Sequence, residues 1–331
     1  MKVEVSRKCS FFMFLFIMVV VLFHSNLRYY YSFIEDLTAV STAYFFMVSA
    51  FFFYKDLNTE NFVERLKKRF VTLLVPYFLW NTIYMILYSK THNFSIPYII
   101  EGFTTNPICT PTWYLFTLFL SFMFAPIIKR AFSKVNTTFL LMAVMSVLSY
   151  LVYIKYQGQI ALIPMVGGYL IRCAEYIIPY LLGGIIGSWF QDKIYVSGKR
   201  SLVGIISSLI IIAALFFNIP SVVRWLLWMI FPVALWETIP EKIFRYTGFL
   251  TIFTDASFLI NTMHCYFLHL WYNFLMKNSL ITETKLSMLV IVLSVLSSYV
   301  VYYLFKIFAP HVLKILTGNR IPDKNFSNYV R

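Results

Sequence analysis

The sequence predicts an all-α integral membrane protein, a polytopic bundle of about ten transmembrane helices with both termini in the cytoplasm. Sixty per cent of the 331 residues are hydrophobic and only 13 % are charged. The mean hydropathy is +0.73, and a soluble domain does not reach such values because water must wet its surface. Apolar stretches such as VVVLF (19–23) and IISSLIIIAALFF (205–217) do not alternate with polar residues. The spans are therefore expected to be helices and not the strands of a barrel.

Ten apolar segments are long enough to cross about 30 Å of hydrocarbon, at roughly 20 residues per crossing. They are centred on residues 10–27, 37–54, 70–88, 112–128, 137–154, 170–190, 201–217, 221–236, 256–276 and 286–308. No internal repeat, low-complexity tract or appended soluble domain is visible in the sequence. Residues 1–331 are therefore expected to form one transmembrane domain, with a short cytoplasmic tail at 310–331.

The basic residues predict the orientation of the chain. The formal net charge is +14. The basic residues lie in short segments between apolar runs, as the positive-inside rule describes. They do not follow one polar face, so nucleic acid is not an expected partner. With a cytoplasmic N terminus, most basic residues fall on the inner side, including the cluster Arg65, Lys67, Lys68 and Arg69. This assignment predicts an even number of crossings.

The four cysteines are scattered, and none has the CxxC or CxxH spacing of a zinc site. Cys9, Cys109, Cys173 and Cys265 are therefore predicted to be packing residues, because free cysteine is often simply buried. The histidines give no metal motif either. His264 and His269 are five residues apart, which puts them on different faces of a helix. No metal is expected.

Few ionisable residues lie within the predicted spans, and each needs a partner or a task because its insertion costs a few kcal/mol. His24 interrupts the run FFMFLFIMVVVLFHSN, residues 11–26. It is predicted about 14 residues into the first helix, some 21 Å from the cytoplasmic end. His264 is predicted about eight residues into the ninth helix, or roughly 12 Å. Each histidine could instead be a structural residue, and Arg69 could simply end a basic loop.

Six stretches in the same order resemble the acyltransferase family 3 membrane proteins, the bacterial enzymes that O-acylate polysaccharides, lipopolysaccharide and related cell-surface carbohydrates. The resemblance spans about residues 8–310. The stretches are FFMFLFIMVVVLFHSN (11–26), YFFMVSAFFFYKD (44–56), FVERLKKRFVTLLVPYFLWN (62–81), PTWYLFTLFLSFMFAPII (111–128), IIPYLLGGIIGSW (177–189) and SFLINTMHC (257–265).

The resemblance implies that His24 is the catalytic residue and that the protein lies in the bacterial cytoplasmic membrane. An imidazole can accept a proton from a sugar hydroxyl near neutral pH, or could carry the acyl group itself. The implied donor is an acyl-CoA, most simply acetyl-CoA, and the implied acceptor is a surface polysaccharide or its lipid-linked precursor. No bound cofactor is expected, and lipids surround the bundle. Substrate or donor binding is expected at Arg65, Lys68, Arg69, Ser49, Trp113 and His264, where basic residues would hold the phosphates of coenzyme A.

The sequence departs from the family pattern at three positions. Met13 stands where the family has an arginine eleven residues before the histidine, and Thr72 stands where it tends to have a second basic residue. Ala50 replaces the usual glycine after Ser49. The donor site is then either rebuilt from Lys8, Arg65 or Lys68, or lost.

Two other functions stay open at this stage. If the donor site is lost, the protein would be a non-enzymatic member of the family that acts in polysaccharide or lipid export or assembly. An ion-coupled transporter is less favoured, because the sequence lacks matching Gly/Pro-interrupted segments in two halves. The acylation of the polymer and its location in the cell would distinguish these functions.

Overall fold

The computed structural model describes residues 3–55, 57–58, 60–89, 95–104, 107–156, 167–190, 197–217, 219–245, 254–276 and 283–319. Within these ranges the regular structure is helical and no strand occurs. The α-helices are α1 (Val3–His24), α2 (Phe33–Tyr54), α3 (Phe62–Arg69), α4 (Val75–Tyr88), α5 (Ile96–Thr104), α6 (Trp113–Met123), α7 (Ala125–Ala131), α8 (Val135–Tyr156), α9 (Gly167–Glu175), α10 (Ile177–Trp189), α11 (Gly198–Phe216), α12 (Ser221–Thr238), α13 (Ser257–Met276), α14 (Glu283–Phe308) and α15 (Pro310–Leu316). Short 3-10 helices cover Asn26–Tyr29, Thr110–Thr112 and Glu241–Arg245, and a π-helical turn covers Phe70–Leu74.

Several of these helices can cross a membrane, so the prediction of an all-α integral membrane protein is confirmed. Five described helices are long and apolar enough, and seven spans result if each of two bent pairs counts as one. The five are Glu4–His24, Phe33–Tyr54, Phe62–Tyr88, Val135–Lys155 and Glu283–Phe308. The count of ten crossings and the cytoplasmic position of the termini stay predictions.

Two of the spans expose their apolar residues to the surroundings of the protein. Only 11 % of the apolar window of Val135–Lys155 and 22 % of that of Glu283–Phe308 is buried. A soluble protein rarely leaves apolar patches of this size open to water. Side chains such as Phe139 and Leu140 on α8, or Val300 on α14, are exposed and are suited to contact lipid.

A proline follows the break in each of the two bent pairs. Helices α9 and α10 meet at 60°, and α6 and α7 meet at 56°. A proline lacks its N–H and its ring clashes with the carbonyl four residues earlier. For Pro179 that carbonyl belongs to Glu175, the last residue of α9. The hydroxyl of Ser149 donates to the Glu175 oxygen at 2.7 Å, so the group released from the helix keeps a partner.

The chain divides into two compact units. The first comprises Met1–Cys9, Ala39–Lys68 and Thr117–Thr247, and the second comprises Ser10–Thr38, Arg69–Phe116 and Gly248–Arg331. The core of the first unit is aromatic. The rings of Phe53 and Phe122 stack with centroids 4.2 Å apart, and the Tyr180 hydroxyl donates to the Ser121 carbonyl at 3.0 Å.

Two glycines of α10 allow that helix to approach α2 closely within the first unit. Gly183 and Gly187 form a GxxxG pattern, a spacing that lets helix backbones pack together in membranes. A Cβ atom on Gly183 would lie 2.0 Å from the Met47 carbonyl oxygen, and one on Gly187 would lie 2.5 Å from that of Phe51. The two carbonyls are also four residues apart. The helices are therefore in backbone contact along one turn.

We expect Gly183→Ala to destabilise the protein, because the added methyl must push two backbones apart. Overpacking of this kind costs typically about 1–3 kcal/mol. Gly184→Ala is the matched control, since the three atoms nearest to its Cβ belong to the rings of Phe132 and Tyr54 and not to a backbone. Thermal unfolding of the two variants in detergent, followed by intrinsic fluorescence, measures the difference. Equal transition temperatures would contradict the close contact.

A buried ion pair lies in the first unit. The Lys8 ammonium donates to a Glu241 carboxylate oxygen at 3.0 Å, and the two side chains are 0 % and 3 % exposed. Lys8 also donates to the Ile239 carbonyl and lies 4.2 Å from the centre of the Trp236 ring. Lys8, one of the basic residues that could rebuild the donor site, is thus buried among partners of the first unit.

The second unit is organised around α4, α13 and α14. The indole N–H of Trp80 donates to the Leu316 carbonyl at 3.0 Å, which fixes α15 on α4. Residues 310–316 of the predicted tail are therefore a packed helix, and residues 320–331 lie outside the described part. Of the segment 90–111, which the sequence leaves open as a lid or a connector, α5 packs on α4 through a bond from the Tyr77 hydroxyl to the Phe103 carbonyl at 3.0 Å.

Candidate functional site

The candidate site begins at His24, which is the last residue of α1. The helix starts at Val3 and has 22 residues, so the prediction that His24 lies about 14 residues into it was wrong. Charged residues before position 10 belong to the helix because Lys8 finds a buried partner there. Ser25 ends α1 by capping the next turn, since its hydroxyl accepts from the Leu27 N–H at 3.3 Å. At 1.5 Å per residue, His24 lies about 33 Å from the start of the helix.

His24 and His264 come together in the second unit, although they are far apart in the sequence. Their ring centroids are 5.2 Å apart with an interplanar angle of 49°. His264 lies about eight residues into α13, as predicted from the sequence, because that helix begins at Ser257. It is fully buried, whereas His24 is partly exposed. The pair therefore presents one accessible imidazole and one shielded imidazole.

The hydrogen bonds of His264 fix its tautomer. Its Nδ1 lies 3.0 Å from the Ile260 carbonyl oxygen, and a carbonyl can only accept, so Nδ1 carries the hydrogen. In the neutral ring Nε2 then has a free lone pair. The Cys265 thiol lies 3.4 Å from that Nε2, so it is the donor of the bond. His264 is thereby set up to accept a proton from Cys265.

Two buried side chains hold this turn of α13 in place. The Tyr84 hydroxyl donates to the Thr262 carbonyl at 2.7 Å and accepts from the Tyr266 N–H at 3.2 Å. The Ser294 hydroxyl donates to the His264 carbonyl at 3.1 Å. Side chains of α4 and α14 thus form hydrogen bonds to the backbone of α13 around His264 and Cys265. A site fixed in this way is preorganised, as catalysis requires.

A cavity of about 200 Å³ opens beside these residues. It is lined by His24, Ser25, Asn26, Cys265, Leu268, His269, Tyr272, Ser287 and Val290. Most of these side chains are polar, which suits a hydroxylated ligand. The Ser287 hydroxyl is buried and has no hydrogen-bond partner among the described residues. A buried polar atom without a partner costs free energy, so a bound ligand that supplies a partner would be favoured.

His24, His264 and Cys265 are the residues of the described part that could hold a metal ion. One ligand atom of each lies within 4.8 Å of the others, and imidazole nitrogen and thiolate sulfur are the ligand types of Zn²⁺. The sequence predicts no metal because the cysteines lack the spacing of a zinc site and because His264 and His269 lie on different faces of a helix. The proximity of His24 and Cys265 depends on the fold and has no signal in their spacing.

The predicted donor-binding residues have separate places in the structure. The Arg65 guanidinium donates to the carbonyls of Phe53 at 3.0 Å and Phe52 at 3.5 Å, so it caps the end of α2. Lys68 forms an exposed ion pair with Glu64 at 2.8 Å. Arg69 is partly buried at the end of α3, Ser49 is partly buried on α2, and Trp113 is partly buried at the start of α6. None of these residues lines the cavity at His24.

Sequence reasoning did not single out a basic cavity in the first unit. This cavity measures about 380 Å³ and is lined by Leu57, Asn58, Phe62, Pro126, Lys129, Arg130, Phe132, Ser133, Ser188 and Trp189. The Lys129 ammonium donates to the Ser188 hydroxyl at 3.0 Å. In the sequence, Lys129 and Arg130 counted only toward the orientation of the chain. We name this feature the basic cavity.

Comparison with known families agrees with the six motifs. A family model described as "Acyltransferase domain" matches residues 13–306, nearly the whole chain, which confirms the resemblance. Neither the search of curated proteins nor the search of solved structures gave a match. His24, His264 and Cys265 all lie within the matched residues.

Proposed function

Because the chain belongs to the acyltransferase family whose domain model covers residues 13–306, we propose that this membrane acyltransferase esterifies a hydroxyl of a cell-surface polysaccharide or of its lipid-linked precursor. The proposed acyl group is acetyl, and the proposed donor is an acyl-CoA. The proposed location is the cytoplasmic membrane of a bacterium. The observation that carries the proposal is the accessible imidazole of His24 at a polar cavity.

His24 is the proposed general base. Its ring lines the cavity and stands edge-on to Phe23, with centroids 5.3 Å apart. A hydroxyl bound in the cavity could give its proton to the imidazole while its oxygen attacks the acyl carbonyl carbon. Proton transfer to a placed base contributes typically about 10²–10⁴-fold in rate.

The basic cavity supports an anionic donor. Coenzyme A carries phosphates, and Lys129 and Arg130 supply two positive charges at one cavity. Guanidinium and ammonium groups are the usual phosphate partners. The basic cavity therefore joins Lys68 and Arg65 of the same unit as a proposed donor-binding region, and Arg69 is proposed separately. Of these, Arg65 already uses its guanidinium to cap α2.

The polar lining of the cavity at His24 supports a carbohydrate acceptor. Asn26, Ser25 and Tyr272 line it with groups that donate and accept hydrogen bonds, as sugar hydroxyls require. The nearby Tyr30 hydroxyl donates to the Glu283 carboxylate at 2.6 Å. That hydrogen bond is the main cause that raises the pKa of Tyr30. Tyr30 thus keeps its proton directed at Glu283, and its oxygen can still accept a hydrogen bond from a sugar hydroxyl.

The test compares surface polysaccharide from cells with and without the gene. We expect ester-linked acetyl groups, measured by mass spectrometry and removed by mild alkali, to be absent in the deletion strain and restored by the wild-type gene. The polymer itself should still reach the surface. Identical ester content in both strains would contradict the proposal.

A second candidate is a non-enzymatic family member in polysaccharide or lipid export or assembly. It is favoured by Met13, which stands where the family has an arginine. Under this alternative the deletion strain would retain the polymer inside the cell. Fractionation of the polymer between the cell interior and the surface therefore separates the two functions in the same pair of strains.

A further inference from the structure

We propose that Cys265 carries the acyl group as a thioester, so that transfer runs through an acyl-enzyme. This inference rests on the proposed acyltransferase function and deepens it. Cys265 differs from the other cysteines, because its side chain is partly exposed whereas Cys9, Cys109 and Cys173 are buried. It lines the same cavity as His24. A thiol with a base on one side and a cavity on the other is arranged as a nucleophile.

The base for this nucleophile is His264. Its Nε2 lies 3.4 Å from the Cys265 sulfur, and the bond from its Nδ1 to the Ile260 carbonyl at 3.0 Å holds the ring in orientation. Nucleophile, base and orienting group thus follow one another, which is the arrangement of an activated cysteine. His264 is fully buried and does not line the cavity, so its part is to activate the thiol.

The acceptor hydroxyl then finds a second imidazole. One ring nitrogen of His24 lies within 4.8 Å of the Cys265 sulfur. A hydroxyl oxygen placed between them can stand about 3 Å from both the nitrogen and the acyl carbon on the sulfur. The Ser287 hydroxyl lines the same cavity, is 2 % exposed and lacks a described partner. It is available to donate to the acyl carbonyl oxygen as negative charge develops there.

The two steps balance in atoms and electrons. In the first, the Cys265 thiol gives its proton to His264 and the sulfur attacks the carbonyl carbon of the acyl thioester donor. The bond from that carbon to the donor sulfur breaks, and the donor leaves as a thiolate while the proton stays on His264. In the second, the acceptor hydroxyl gives its proton to His24 and its oxygen bonds to the acyl carbon. The bond to Cys265 breaks, and the cysteine sulfur takes back the proton that His264 holds. The proton on His24 passes to water, which balances the thiolate released in the first step.

The intermediate should accumulate when only the second step is slowed. We expect full-length His24→Ala protein, taken from polysaccharide-producing cells and quenched in acid, to carry an acyl adduct on the peptide that contains Cys265. Neutral hydroxylamine should remove this adduct, because it cleaves thioesters. The wild-type protein should carry less of it. Peptide mass spectrometry reads the adduct without fixing the donor in advance. The absence of an adduct in the His24→Ala protein would overturn the inference.

Substitution of the thiol gives the second readout. We expect Cys265→Ser to lower the ester content of the surface polysaccharide by at least about 10²-fold. Cys173→Ser is the control, since that thiol donates to the Thr117 carbonyl at 3.3 Å in the first unit and should leave the ester content unchanged. Normal ester content with Cys265→Ser would overturn the inference while the acyltransferase function stands. Equal ester content in wild-type and deletion strains would instead overturn the proposed function.

Discussion

Replacing His24 by alanine is expected to lower the rate of acyl transfer by about 10²–10⁴-fold, the usual contribution of a placed general base. The imidazole lies at the end of α1, where the chain already leaves the helix, so its loss should not disturb the span. Part of the ring is exposed to the cavity, and its removal leaves space that water can fill. The effect should therefore appear in the rate and not in the amount of protein.

The measurement is the ester content of surface polysaccharide at matched amounts of membrane protein. His311→Ala is the control, because His311 is an exposed histidine on α15 and should leave the ester content unchanged. A His24→Ala variant that acylates as fast as wild type would remove His24 from the mechanism.

Replacing Glu241 by glutamine is expected to destabilise the protein by about 3–5 kcal/mol, because it removes the carboxylate that contacts the buried Lys8 ammonium. Both side chains are almost fully enclosed, so water cannot take over the role of the carboxylate. The bond to the Ile239 carbonyl and the Trp236 ring would remain, but neither carries a full negative charge. Thermal unfolding in detergent and the amount of protein in the membrane should both fall.

Two variants give this prediction a sharp control. Glu64→Gln removes one partner of an exposed ion pair with Lys68 and should have no measurable effect on unfolding. The double variant Lys8→Met with Glu241→Leu should recover most of the lost stability, since replacing a buried pair by apolar residues is often neutral or favourable. A Glu241→Gln protein as stable as wild type would show that the pair is not a buried ionic contact.

Hydropathy located the helices well because the cost of burying backbone and charge in hydrocarbon acts on each segment separately. The predicted segments 37–54 and 286–308 correspond to Phe33–Tyr54 and Glu283–Phe308. The predicted start of α1 is too late, because a lysine such as Lys8 is expected in solvent unless its buried partner is known. That partner, Glu241, is 233 residues away in the chain.

The site was only partly predictable for the same reason. The motifs indicated His24 and His264 separately, but nothing in their spacing brings the two rings to 5.2 Å. The sequence predicts a packing role for Cys265, because a thiol becomes reactive only through its neighbours. Its distance to the His264 Nε2 and its share of the cavity exist only in the fold. Arg65 is the opposite case. Its motif predicts donor binding, but in the structure its guanidinium caps α2.

The length of α1 has a consequence for the direction in which the chemistry runs. If the basic residues orient the N terminus toward the cytosol, a helix of about 33 Å whose last residue is His24 sets the reactive imidazole at the opposite face of the bilayer. A polysaccharide that has already been secreted would then be acylated at that outer face. Under the proposed function, only the acyl group would then cross the membrane, and the polysaccharide would not pass through the protein.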